Sequence, residues 1–139
     1  MVDALKESWR VLHQGGVLLD FRPLVGSPPI EIAGGGSAQE VGSVDDRAAD
    51  GDSAAADAAI ETVTKSGIFY GETKRQFQVA HYWDSVEEMS EYLGSRRHRM
   101  SILPSEAHVR EFFDRTVRTD ARIRLRCRWR NQLHAYARL

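Results

Sequence analysis

Leu5-Lys6-Glu7-Ser8-Trp9-Arg10-Val11-Leu12-His13-Gln14-Gly15-Gly16-Val17-Leu18-Leu19-Asp20-Phe21 is the stretch on which the fold turns. Val2, Leu5, Trp9 and Leu12 recur at spacings of three and four, which sets them on one face of a helix predicted over residues 3–13. Gly15-Gly16 ends that helix, because a helix C-terminus commonly needs a left-handed residue. Val17-Leu18-Leu19-Asp20-Phe21 then runs nearly unbroken in apolar residues instead of alternating, which predicts a strand buried on both faces, as in the middle of a parallel sheet. Pro23 stops it. A helix, a two-glycine turn and a buried strand together make the second half of an α/β unit.

Outward from this unit, Pro28-Pro29-Ile30-Glu31-Ile32-Ala33, Gly34-Gly35-Gly36-Ser37 and Glu40 to Asp45 predict a β-hairpin exposed at one edge of the fold. Ala54 to Lys65 has the Ala and Glu content of a helix, with Ile60 and Val63 inward. Residues 68–83 form the longest strand candidate, with Ile68, Tyr70, Phe77, Val79 and His81 alternating around a polar stretch. Ser85-x-x-Glu88 is a capping box that opens a helix closed by Gly94. A further helix runs from about Ser105 to Arg118, with Val109, Phe112, Phe113 and Val117 inward. In the tail, Ile123, Leu125, Cys127 and Trp129 alternate with Arg122, Arg124, Arg126, Arg128 and Arg130, the mark of a half-buried strand onto which Leu133–Leu139 is predicted to pair back.

A chain of 139 residues, 42% hydrophobic and 28% charged, can bury one ordinary core. No run of about 20 apolar residues is present, so no membrane partner is expected. One cysteine, Cys127, rules out a disulfide framework, and with no secretory h-region near Met1 a reducing, cytoplasmic setting is expected. The net charge of −1 conceals an asymmetry: eight acids face Arg47 alone between Ile30 and Glu61, whereas nine arginines face four acids from Pro104 to Leu139. Such opposed halves attract each other, or leave the basic half for a polyanion.

Two constellations compete for function. Asp20 and Arg22 end the most apolar strand and His81-Tyr82 ends the longest one, both places where ligands bind in open α/β sheets. Arg96, Arg97 and Arg99 form one basic knot, and Arg124, Arg126 and Arg128 belong to a row of five guanidinium groups along about 26 Å that could track phosphates. No aromatic residue shares the face of that row, Trp129 falling on the opposite one, so a solvated strand face paired with carboxylates is the preferred account and nucleic acid the alternative. Gly34-Gly35-Gly36 lacks the Gly-Lys-Ser/Thr that a phosphate loop needs. His81 and Asp84 are the nearest metal-type pair, but no third ligand stands at a recognisable interval, so no metal is expected. Cys127 falls on an apolar face and no serine lies in a nucleophile elbow, which leaves the catalytic residues unassigned.

Ala4 to Asp20 closely resembles a segment of class I S-adenosylmethionine-dependent methyltransferases, in which a helix reading roughly L-x-E-x-x-R-V-L-x-x-G-G precedes the fifth strand of a seven-stranded Rossmann-like sheet. Glu7, Arg10, Val11, Leu12, Gly15 and Gly16 match. The later pieces, with His81 to Met89 and the arginine-rich last strand, look like the C-terminal half of a bacterial subgroup of these enzymes. The resemblance implies a single, partial methyltransferase-like domain over 1–139: a small mixed β-sheet flanked by about four helices, with the hairpin as an insertion. The glycine-rich loop after the first strand, the acid ending the second and the motif after the fourth would all lie before Met1, so no cofactor-binding residue carries over. The chain alone is therefore expected to bind no cofactor and not to be catalytically competent, with S-adenosylmethionine entering only if a partner or a missing N-terminal half supplies its site. An edge opened beside Val17–Phe21 would then be covered by the hairpin and long strand, by a second copy in a homodimer, or by a partner chain.

Overall fold

The computed structural model describes residues 1–96, 100–120 and 122–139. The elements are α1 (Val2–Val11), β1 (Val17–Pro23), β2 (Pro29–Gly34), β3 (Ser37–Asp45), α2 (Asp50–Lys65), β4 (Phe69–Trp83), α3 (Val86–Gly94), β5 (Ser101–Leu103), α4 (Glu106–Val117) and β6 (Arg124–Arg138), with a short 3-10 turn at Arg47–Ala49. Four α-helices and a six-stranded sheet make a mixed α/β fold. The strand order is β1-β6-β2-β3-β5, with β4 also paired to β6. The β1–β6, β2–β3, β2–β6 and β3–β5 pairs are all antiparallel. Two compact units form, Met1–Leu24 with Asp50–Phe77 and Arg130–Leu139, and Val25–Ala49 with Gln78–Trp129.

In the first unit, α1 turns the predicted face inward. Val2, Leu5, Trp9 and Leu12 pack with Leu18, Ile60 and Ile68 around buried Val63, Phe69 and Tyr136. The chain leaves α1 through Gly15, whose φ of +75° only glycine adopts without strain. Strand β1 departs from expectation. Among the described residues it ends the sheet and pairs only with β6, and it alternates in exposure: Leu18, Asp20 and Arg22 are half-buried, whereas Val17, Leu19 and Phe21 are 46%, 61% and 56% exposed. An unbroken apolar run marks a strand that could be covered on both faces, but here helices supply cover to one face alone.

In the second unit, Ile30, Ile32, Val41, Val44, Val86, Met89, Leu93, Val109, Phe113, Leu125 and Cys127 form the core. The β2–β3 hairpin turns through Gly35 and Gly36, both at positive φ, as a two-residue loop of primed type requires. It is not an exposed edge: β5 pairs along β3, β6 along β2, and Ile30 and Val44 are fully buried. Helix α3 is capped as predicted, with Ser85 Oγ accepting from Glu88 N, while the Glu88 carboxylate accepts from Asp84 N. In α4, Ser105 caps His108 N, and Val109 and Phe113 are buried.

The two long strands correct two further expectations. In β4, Phe69 is buried and Tyr70 is 61% exposed, so the inward parity is that of Phe69, Gly71, His81 and Trp83. Leu133–Leu139 does not fold back. It continues β6, and the buried positions shift from Leu125, Cys127 and Asn131 to Gln132 and Tyr136. The polar step Arg130-Asn131-Gln132 looks like a turn in sequence but is the point where the strand's inward side changes.

Candidate functional site

Asp20 and Arg22 stand two apart on β1, hence on one face. Arg22 Nη2 donates to Asp20 Oδ2 at 2.7 Å and to Asp57 Oδ1 of α2 at 2.8 Å, and Nη1 donates to the Ser53 carbonyl at 3.2 Å. Burial works against the Arg22 charge, but hydrogen bonds to Asp20 and Asp57 outweigh it and hold the guanidinium above its ordinary value. Beside them on β6, the Tyr136 hydroxyl lies 2.7 Å from His134 Nδ1. Asp20 faces His134 across the β1–β6 pair. Burial pushes the Tyr136 phenol up, with the Asp20 charge adding to it, and pushes the His134 imidazole down, with Lys74 adding to it. This is a satisfied network that ties β1 to α2, so Asp20 and Arg22 have their hydrogen bonds made without a ligand.

His81 and Tyr82 belong to the other unit. Successive strand residues point to opposite faces, and these two do not share a site. His81 packs among Trp83, Tyr92 and Trp129 at ring separations of 5.0–6.1 Å. That is a filled aromatic cluster. Tyr82 faces the basic side instead, with the Arg124 guanidinium 5.6 Å from its ring centroid.

The arginine row is answered by acids. Glu31 on β2, whose side chain is 8% exposed, accepts from Arg126 Nε at 2.8 Å and from Arg128 Nη2 at 2.6 Å. Burial raises the Glu31 carboxyl, but hydrogen bonds from Arg126 and Arg128 overcome it and hold the group below the usual carboxylate range. Arg124 Nε meets Asp84 Oδ1 at 2.6 Å, and Asp120 chelates Arg122 through Nε and Nη2. Arg96 is exposed and lies over the Tyr92 ring at 5.3 Å, while Arg97 and Arg99 lie outside the described residues. Glu31 escaped the sequence reading. The signal for it is an acid between two isoleucines, in a strand able to pair with an alternating arginine strand, and the register sets Glu31 opposite Arg126.

Arg122, Arg124 and Arg126 line a groove of about 400 Å³ together with Tyr82, Ser37 and the glycine turn. Cys127, fully buried on the opposite parity, has its thiol pushed up to about 12 by burial and, second, by the Glu31 charge, so it is no nucleophile. Among the described residues no three of His, Cys, Asp and Glu gather as a metal site, and no helix is long and apolar enough to cross a membrane. No family model, curated protein or solved structure matches the chain.

Proposed function

We propose that the chain is a module related to the class I methyltransferase lineage that does not catalyse alone and works by association, β1 pairing antiparallel with β1 of a second copy. For the lineage stands Ala4–Asp20, which folds into helix, two-glycine turn and strand in the order the resemblance implies; against it, β1 is an outer strand in antiparallel pairing and not an inner strand of a parallel sheet. Association is supported by one observation above all: β1 has a partner on one side only and bares Val17, Leu19 and Phe21.

The hydrogen-bond parity of β1 makes that edge usable. Leu24 N donates to Arg130 O and Arg138 N to Gly16 O, so even-numbered residues bond to β6 and odd-numbered ones point outward. The free edge thus offers the N–H groups of Val17, Leu19 and Phe21 and the carbonyls of these and of Pro23. Pro23 has no N–H to waste there. A twofold centred on Asp20 sets Leu19 opposite the second copy's Phe21 in both directions and Val17 N–H opposite Pro23 C=O. The same register continues the apolar stripe across the axis. On the polar face this register sets the two Asp20 carboxylates opposite each other, a like-charge contact offset by the Arg22 guanidinium groups at the diagonal positions.

Size exclusion with light scattering at micromolar concentration tests the pairing, with a dimer expected and Leu19→Lys expected to give the 15.7 kDa monomer. A wild-type monomer at that concentration ends the association reading. Isothermal titration with S-adenosylmethionine tests the other half: no heat is expected, and micromolar binding by the chain alone overturns it. A nucleic-acid interface along β6 is disfavoured, because Arg122, Arg124, Arg126 and Arg128 each hold a carboxylate within 3.1 Å.

A further inference from the structure

We infer that the groove beside the Gly35-Gly36 turn binds a small, doubly charged oxyanion, a phosphate monoester or dicarboxylate, held by the terminal nitrogens of Arg124 and Arg126. The groove lies within the second unit and is lined by Gly36, Ser37, Tyr82, Arg122, Arg124 and Arg126. Its volume of about 400 Å³ falls in the range of small-molecule sites. Two-residue spacing on β6 puts Arg124 and Arg126 on one face, about 6.6 Å apart along the strand.

The way their carboxylates are held leaves them capable of a second bond. Asp84 takes Arg124 through Nε at 2.6 Å, and Glu31 takes Arg126 through Nε at 2.8 Å. A guanidinium has five N–H donors, and an Nε contact leaves the outer fork for another oxyanion. The same contacts orient both forks before a ligand arrives, which lowers the ordering cost of binding. Tyr82, which lines the groove, adds to this by packing its ring against the Arg124 guanidinium. Arg122 differs: Asp120 occupies both its Nε and Nη2, so it contributes charge at the rim more than bonds. A Cβ at Gly35 or Gly36 would meet nothing within 4 Å, so the turn side of the groove is open to a ligand.

The surrounding acids decide between a small anion and a polymer. A polynucleotide laid along β6 would pass Asp84, whose side chain is 72% exposed, and Asp120. Each repels a phosphate chain along its length, whereas a compact dianion bonds the two outer forks directly, which offsets the repulsion of the Asp84 and Glu31 carboxylates behind them.

The test titrates the full chain at low salt with glycerol 3-phosphate, inorganic phosphate and succinate, followed by isothermal titration. Saturable binding at or below the millimolar range is expected. Tighter binding of glycerol 3-phosphate and phosphate than of succinate assigns the phosphoryl source, and the reverse assigns the carboxylate. Arg124→Gln, at a half-exposed position, should weaken binding about tenfold or more without unfolding the chain. Arg10→Gln, in the other unit, should leave it unchanged. No saturation by about 10 mM of any probe, or equal affinity in Arg124→Gln, overturns the site. A single-stranded oligonucleotide that binds more tightly than all three probes, with a steep salt dependence, overturns it in favour of a nucleic-acid interface.

Discussion

Arg128 Nη2 and Glu31 Oε1 lie 2.6 Å apart, and Arg126 Nε reaches the other oxygen of the same carboxylate at 2.8 Å. One buried acid thus neutralises two arginines of a strand whose sequence suggests a polyanion track. Removing it leaves two guanidinium groups competing for water from partly covered positions. Glu31→Gln is expected to cost about 2 kcal/mol in urea unfolding at pH 7. Because the folded carboxyl titrates below its reference of 4.5, the stabilisation is present above that value and is lost as pH falls through the lower folded one. Wild type should therefore lose stability on acidification more steeply than Glu31→Gln, and equal slopes would remove this role from Glu31.

The Asp20–Arg22–Asp57 bridge should be unequal in its two arms. Asp20 is 15% exposed at its side chain and Asp57 is 69% exposed, so water screens the second contact. Asp20→Asn should cost about 1.5 kcal/mol and Asp57→Asn no more than about 0.5 kcal/mol, measured by chemical unfolding. A larger loss at Asp57 would contradict the exposure argument.

Cys127 should resist thiol reagents in the native chain. With its thiol at about 12 and no surface exposed, labelling by an aromatic disulfide at pH 8 should follow global unfolding in rate and in denaturant dependence. Fast labelling in native buffer would show that the second unit opens locally. Cys127→Ser, which buries a hydroxyl among apolar neighbours, is expected to cost about 2 kcal/mol.

The capping of α3 gives a local test. Ser85→Ala removes the acceptor for Glu88 N and should lower stability by about 1 kcal/mol. Glu88→Ala, which frees Asp84 N at an exposed position, should cost less.

If β1 pairs with a second copy, thermal stability must depend on protein concentration. The melting temperature should rise with dilution reversed over a hundredfold range, and Leu19→Lys should abolish the dependence. The stacked pair Phe21–Phe77, with centroids 5.8 Å apart and both rings largely exposed, should stay more protected from solvent quenching in the dimer than in the variant.

Periodicity found the helices, because an amphipathic face is written locally: Val2, Leu5, Trp9 and Leu12 needed no knowledge of what they pack against. Caps were equally legible, since Ser85 and Ser105 act within their own turns. What a strand lies beside is not local. Val17-Leu18-Leu19 reads the same whether two layers cover it or one, and only the register with β6 shows that β1 ends the sheet. The arginine row and its pairing with carboxylates were legible in sequence, whereas the identity of the buried partner was not, because Glu31 lies 95 residues from Arg126. The four ligand candidates do not come together as one site for a similar reason: Asp20 and Arg22 bond each other, while His81 and Tyr82 take opposite sides of one strand.

The change of inward side at Asn131–Gln132 has a bearing on how this chain tolerates insertions and deletions. Removing a single codon anywhere in the first half of β6 reverses the side chains upstream of the lesion relative to their core, which would throw Leu125 and Cys127 into water and draw arginines into oil. Loss of two adjacent codons preserves the alternation and shortens the strand only. Length variation in this strand should therefore be viable in even steps only.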